Sequence, residues 1–284
     1  MELQFAKLHG CENDYLYVDC RERPLENAPE VARLVSDRRA GVGSDGLICV
    51  YRCDSADFRM EMFNADGSRG AMCGNGIRGL GKYVFDRGMT DSDRLSVATD
   101  SGVKTLRLHH DKGLVHSVTV DMGEAILEAS AIPAEGDGPL IDIPLEVDGR
   151  SWTVTCVSMG NPHCVTFDED PDGLDLERTG PGFASLPFFP AGVNTEFVRV
   201  DSPSRLTMRV WERGSGETMA CGSGACAAVV AAALSGRAER RATVCLRGGE
   251  LEIDYLDDGR VMMTGPTVEV FSGTMIVPQG GSDV

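Results

Sequence analysis

Between Arg209 and Leu234 the chain reads RVWERGSGETMACGSGACAAVVAAAL: a short charged strand, a Gly-containing turn, a lone cysteine followed by Gly-x-Gly, and an apolar run. Residues 61 to 85, EMFNADGSRGAMCGNGIRGLGKYVF, repeat that order around Cys73. The offset is 148 positions, the difference between Cys221 and Cys73 and equally between Glu212 and Asn64. The same shift sets Asn13 on Asn161, Gly46 on Asn194, and Gly74 and Gly76 on Gly222 and Gly224. A chain that repeats strand, turn, cysteine and helix at constant spacing is constrained to fold as two related halves.

The periodicity of the chain fits that duplication. Leu3 to Leu8 and Tyr15 to Asp19 read as strands around a turn at His9 to Asp14, and Phe58 to Phe63 alternates as a strand. Pro29, Val31, Leu34 and Val35 predict a short amphipathic helix ending before Gly41. After Cys73, Ile77, Leu80 and Val84 mark one helical face and Gly88 the stop, while Gly79 and Gly81 permit close packing on a sheet. Ala225 to Leu234 is apolar on every side and therefore has to be surrounded. Short strand-like segments fill most of the remainder. The expected fold is α+β: two pseudo-symmetric halves, each a curved, mostly antiparallel sheet wrapped around a central helix, with the active site in the cleft between them. Residues 1–120 with 267–284 form the half carrying Cys73, residues 121–266 the half carrying Cys221, and 279–284 a frayed tail.

Composition narrows the function. With 27 Lys and Arg against 44 Asp and Glu, the net charge of -17 argues against nucleic acid, whose phosphates are bound by clustered cations. No stretch reaches the ~18–20 apolar residues of a membrane span, and Met1-Glu2-Leu3-Gln4 lacks the basic start of a signal peptide, so a cytoplasmic protein is expected. The ten cysteines include no Cys-x-x-Cys pair and no histidines spaced to complete a zinc set, so no metal is expected. Eight read as reduced, buried small hydrophobes. Cys73 and Cys221 stand apart because each opens a helix, where backbone N–H groups and the helix dipole lower a thiol pKa.

Four readings of that pair compete. A Cys-Gly turn can serve packing alone. Gly74-x-Gly76-x-x-Gly79, with Asp100 beyond, partly matches a dinucleotide fingerprint, but no strand feeds directly into the first glycine and the twin lacks the third. A dithiol redox couple is a third reading, although redox cysteines usually lie close in sequence. The fourth is acid–base chemistry on opposite faces of one carbon, in which a thiolate removes a proton and a thiol delivers one.

The blocks Lys7-Leu8-His9-Gly10-x-x-Asn13-Asp14, Asn64-Ala65-Asp66-Gly67-Ser68, Cys73-Gly74-Asn75-Gly76-x-Arg78, Gly160-Asn161-Pro162-His163, Gly192 to Phe197 and Glu212 to Gly222 resemble the diaminopimelate epimerase family, in order and over nearly the whole chain. The resemblance implies cofactor-independent interconversion of LL- and meso-2,6-diaminopimelate by two cysteines, on the route to lysine and to a peptidoglycan precursor. It implies Cys73 and Cys221 as the catalytic pair. Substrate contacts would come from Asn13, Gly46, Asn64, Gly74, Asn75, Asn161, Asn194, Glu212, Arg213, Gly222 and Ser223. His163 and Glu212 would tune the thiols. A homodimer and a small-molecule amino-acid substrate are implied as well. A disulfide between the two cysteines would be an inactive state. Departures from the family pattern are Glu12 where Gly is usual, Ser223 in place of Thr, and Gly46 where some relatives carry Gln. They bear on substrate preference, and a racemase or epimerase of proline or histidine type is the alternative.

Overall fold

The structure, a computed structural model, describes residues 1–168 and 170–278 of the 284. The expected frayed tail at 279–284 lies outside the described residues. The chain divides into two compact units, Met1–Val120 with Gly265–Val284, and Asp121–Thr264.

The first unit begins with β1 (Glu2–Gly10) and β2 (Asn13–Asp19), then α1 (Ala28–Ser36), β3 (Gly46–Tyr51), β4 (Phe58–Asn64) and the short β5 (Arg69–Gly70). The central helix α2 (Gly74–Asp86) and the strands β6 (Arg94–Thr99), β7 (Gly102–Asp111) and β8 (Leu114–Glu124) follow. In the second unit come β9 (Ile143–Val147), β10 (Arg150–Ser158), β11 (Pro162–Phe167), α3 (Leu176–Ala184), β12 (Asn194–Ser202), β13 (Arg205–Glu212), β14 (Gly216–Glu217), the central helix α4 (Gly222–Leu234), β15 (Arg241–Leu246), β16 (Gly249–Tyr255) and β17 (Arg260–Pro266). The last strand, β18 (Val268–Ile276), pairs antiparallel with β1 and so belongs to the first unit.

The duplication is exact in register up to the central helices. β1 and β10, α1 and α3, and α2 and α4 begin and end 148 residues apart. β2 runs parallel to β3 with Tyr15 opposite Gly46, and β11 runs parallel to β12 with His163 opposite Asn194. Past the central helices the second copy is one residue shorter: β4 meets β6 at Phe58–Val97, whereas β13 meets β15 at Arg205–Thr243. In both units antiparallel pairs dominate and two parallel pairs interrupt them. The copies differ at one edge, since β1 is flanked by β18 and β10 by β9.

Each central helix lies inside its curled sheet, packed on strands from both ends: α2 on β1, β2 and β7, and α4 on β10 and β16. Composition explains how. In α4 Ala225 to Ala232 are all fully buried, and side chains this small admit strands from every side. In α2 Ile77, Leu80 and Val84 are fully buried, and the glycines sit where nothing larger fits. A Cβ on Gly79 would lie 2.1 Å from the Tyr17 hydroxyl oxygen, and one on Gly81 2.8 Å from Leu108. Tyr17 in turn donates its hydroxyl to the Gly76 carbonyl at 2.8 Å.

Two local expectations change. The buried face of α1 is Ala28, Val31, Ala32 and Val35, and Leu34 is 44% exposed, because the true stripe starts one turn earlier. The helix α3 was not legible in Leu-Glu-Arg-Thr-Gly-Pro-Gly-Phe-Ala, which carries Pro181 between two glycines. Asp175 caps it, accepting from Arg178 N–H at 3.3 Å, and Phe183 packs edge-on to Trp152 and Phe197. Tertiary burial overrides propensity there, and the offset from α1 was the signal that would have placed it.

The turn at His9 to Asp14 is tighter than expected. Gly10 pairs with Asn13, leaving only Cys11 and Glu12 as the loop, both with left-handed backbone, φ 52° and 64°. That conformation matches the twist of a two-residue hairpin and makes Asn13 the first residue of β2, with a defined direction.

Gly79→Ala is expected to lose about 1–3 kcal/mol by overpacking against Tyr17, read as a lower urea midpoint at unchanged slope. A midpoint within error of the parent protein would contradict the packing described.

Candidate active site

Each central helix starts from a cysteine in extended conformation, Cys73 at φ −127°, ψ 126° and Cys221 at φ −119°, ψ 110°. At a helix start the first-turn N–H groups lack intrahelical partners and the dipole presents positive charge. The first turns are Gly74-Asn75-Gly76 and Gly222-Ser223-Gly224.

Two of the groups that meet Cys73 are neutral, an amide and a phenol. Its thiol donates to Asn13 Oδ1 at 3.3 Å, and Asn75 Nδ2 donates to the same oxygen at 3.2 Å. Asn13 is braced from behind, its Nδ2 donating to Asp45 at 2.7 Å, while Arg38 bridges Asp45 and Asp14 and Lys7 pairs with Asp14 at 2.8 Å. The fully buried Tyr15 hydroxyl also meets the thiol; burial first, then Cys73, pushes its pKa well up. Gly46 lies opposite Asn64 across β3 and β4, and a Cβ there would sit 2.2 Å from the Phe63 carbonyl oxygen, so no longer residue fits this backbone. Asn64 donates to Ser68 Oγ at 2.9 Å.

Around Cys221 the hydrogen-bond partners are a backbone N–H and a hydroxyl, and two carboxylates, Glu212 and Glu196, act through space. The sulfur accepts from Gly224 N–H at 3.4 Å and lies 3.6 Å from Ser223 Oγ. His163, fully buried, sets Nε2 3.1 Å from Asn161 Oδ1 and Nδ1 2.7 Å from Glu196 Oε1. Asn194 accepts from Arg213 N–H at 2.8 Å, and Arg213 extends exposed from the end of β13 with Nη1 on the Ala191 carbonyl at 2.6 Å. Glu212 accepts from the Thr218 hydroxyl, as Asn64 is held by Ser68. Within each unit, Asn13 and Asn75 meet at Cys73, and Ser223 lies beside Cys221 with Glu212 acting on its charge, whereas Asn64 and Arg213 are held by their own turns through Ser68 and the Ala191 carbonyl.

The thiol expectation needs correcting at Cys221. Burial raises its pKa well above the ordinary value, and the Glu212 and Glu196 carboxylates add to the effect; Ser223 and Gly224 N–H oppose it and lose. A helix N-terminus alone does not make a thiolate where desolvation is complete. The other cysteines are also less uniform than expected: Cys53 and Cys245 are half-exposed, the remaining six are buried, and no disulfide joins any of the ten. No group of three or more potential metal ligands occurs among the described residues. Sequence reasoning gave no role to Tyr15, Asp45 or Glu196. The offset held a signal for two of them, because it sets Tyr15 on His163 and Ile48 on Glu196.

Solved structures share this architecture. A phenazine biosynthesis protein of the PhzF family from Bacillus anthracis superposes with a TM-score of 0.72 at 14% identity, covering 98% of this chain and 100% of the other. A hydroxyproline epimerase from Agrobacterium vitis, with bound trans-4-hydroxy-L-proline, does so at 0.66 and 13%, covering 96% and 91%. The fold is therefore the α+β fold shared with these proteins, and in this chain a cysteine stands at the N-cap of each central helix. The family model for diaminopimelate epimerase matches residues 5–128 and 155–270. Diaminopimelate epimerase from Acetivibrio thermocellus is 51% identical over 273 residues, covering 95% of this chain and 98% of that protein, and the one from Agathobacter rectalis 49% over 280, covering 95% and 98%. The chain belongs to the diaminopimelate epimerase family, a family of isomerases.

A raised thiol pKa leaves Cys221 protonated at neutral pH, its thiolate appearing only as pH rises. Alkylation by iodoacetamide, followed by peptide mass spectrometry, is expected to mark Cys53 ahead of Cys221, because Cys53 is half-exposed and its hydrogen bonds with Ser55 lower its pKa. The Cys221 rate should still climb about tenfold per pH unit through the alkaline range. A Cys221 rate that levels off near neutrality would contradict this account.

Proposed function

We propose that the protein interconverts LL- and meso-2,6-diaminopimelate through Cys73 and Cys221. The observation that carries the reading is the pair of capping cysteines at matched positions of two duplicated helices, in a chain of this family. One cysteine, as thiolate, takes the α-proton. The C–H electron pair passes into the adjacent carboxylate, and the other cysteine, as thiol, returns a proton to the opposite face. The two then carry exchanged protonation states, ready for the reverse direction.

The carbanion is the hard part, since it needs somewhere to put its charge. The helix starts at Gly74–Gly76 and Gly222–Gly224 supply oriented N–H dipoles, which are worth most where water is excluded. Asn13, Asn64, Asn161 and Asn194 can donate and accept, as a substrate with two ammonium and two carboxylate groups requires. Arg213, exposed at a strand end, suits the planar grip of a carboxylate, and Glu212 an ammonium. His163 and Glu212 bear on the protonation of Cys221. No step in this scheme calls for a metal or an organic cofactor.

The reading extends to a cytoplasmic homodimer. Ten reduced thiols suit a reducing compartment. The strand β18 pairs with β1 and turns Val268, Val270, Phe271 and Ile276 to solvent, an apolar surface of the kind proteins cover. No helix among the described residues is long and apolar enough to cross a membrane.

Proton NMR of LL-diaminopimelate in heavy water, with reductant and chelator, is expected to show loss of the α-proton signal together with formation of the meso compound. Cys73→Ser or Cys221→Ser should slow it by about 10²–10⁴-fold or more. Exchange of proline or histidine instead would keep the chemistry and replace the substrate. Exchange of no amino acid would bring the redox reading forward. By sedimentation equilibrium the parent protein should have twice the chain mass and Val270→Lys the single mass; a monomeric parent removes the dimer.

A further inference from the structure

The two cysteine environments should match if the duplication were faithful, and at one place they do not. Beside Cys73 the side chain packed on the first turn of α2 is Ile48: a Cβ on Gly76 would lie 2.7 Å from Ile48 Cδ1 and 3.5 Å from Cys73 Cβ. At the matching place beside Cys221 stands Glu196. A Cβ on Gly224 would lie 2.6 Å from Glu196 Oε1 and 3.3 Å from Cys221 Sγ. An apolar contact in one copy is thus a carboxylate in the other, on the far side of a single glycine from the sulfur. The strand neighbour differs in the same sense, with Tyr15 in one copy and His163 in the other.

Glu196 is fully buried. Its Oε1 is engaged by His163 Nδ1 at 2.7 Å, and its Oε2 has no hydrogen-bond partner. A carboxylate in such a place is a liability to the fold unless it is used. We propose that Glu196 is a positioning residue for the reaction: it fixes the His163 ring through Nδ1 and holds a buried negative charge against Cys221, so that this cysteine enters the reaction carrying its proton. The inference rests on the proposed two-cysteine chemistry and gives it a built-in asymmetry, in which Cys221 is the resting donor.

The groups that face Cys221 are consistent with this. Glu212 at the end of β13 adds a second carboxylate, and Glu196 reaches it from β12. His163 and Cys164 on β11 interact with Glu196, and from α4 itself come the Ser223 hydroxyl and Gly224 N–H. The charged side chains of β15 and β16, Arg241, Glu250, Glu252 and Asp254, are exposed or half-exposed. Burial raises the Glu196 pKa, with His163 opposing and Glu212 reinforcing. In the alkaline range where a thiol ionises, the carboxylate is charged and its repulsion of a thiolate is at full strength.

The test is the ionisation midpoint of Cys221, with no substrate present, in the parent protein, Glu196→Gln and Glu196→Asp. It is read from the pH dependence of iodoacetamide alkylation, and independently as the ultraviolet thiolate absorbance lost in Cys221→Ser. Glu196→Gln keeps the shape and removes the charge; it is expected to lower the midpoint by about one pH unit, with Cys73 unmoved, and Glu196→Asp to restore it. Glu196→Ile, the side chain found beside Gly76, is the second charge-free variant should Glu196→Gln fail to fold. A midpoint unchanged on loss of the charge overturns the proposal, as does an equal shift at Cys73. Absence of α-proton exchange in the parent protein would sink the epimerase reading and leave these midpoints to stand or fall alone.

Discussion

A helix enclosed by a sheet can satisfy its own interior but not its first turn, and the rest of this structure depends on that constraint. α2 and α4 bury their middles, and their N-terminal N–H groups need a polar surrounding that the sheet alone does not provide. The chain ends the neighbouring strands in amides there: Asn13 at the start of β2, Asn64 at the end of β4, Asn161 just before β11, Asn194 at the start of β12. Asn13 meets the Cys73 thiol and the Asn75 side chain at the start of α2, and Asn161 meets His163, which holds Glu196 beside Gly224.

Small residues make the arrangement possible. Gly79 admits the Tyr17 ring to the side of α2, and Tyr17 then bonds the Gly76 carbonyl, tying the first turn to β2. α4 reaches the same end with alanines. The two copies thus share a backbone plan while packing their central helices with different side chains.

Duplication also supplies a control inside the molecule. Elements 148 residues apart hold their cysteines in nearly the same backbone conformation, so differences between the two thiols come from side chains and burial rather than from helix geometry. Cys221 is enclosed, with carboxylates for neighbours, and Cys73 is half-exposed among amides and a tyrosine. Catalysis on opposite faces of one carbon needs one charged and one neutral sulfur. In the proposed chemistry, such unlike surroundings would make Cys221 the neutral sulfur.

The sequence by itself determined the duplication, the two capping cysteines, the buried central helices and the amides beside them, because these are local patterns at constant spacing and need no knowledge of what packs on what. It misled where local preference and burial disagree. The Gly-Pro-Gly segment of α3 is helical because Leu176 and Phe183 have a core to enter, and Leu34 faces solvent although its spacing suits an apolar stripe. Only the tertiary structure decided the direction in which the Cys221 pKa moves. Desolvation and the approach of Glu196 across Gly224 depend on atoms brought together from four elements, and no spacing in the chain records how completely water is excluded from that point.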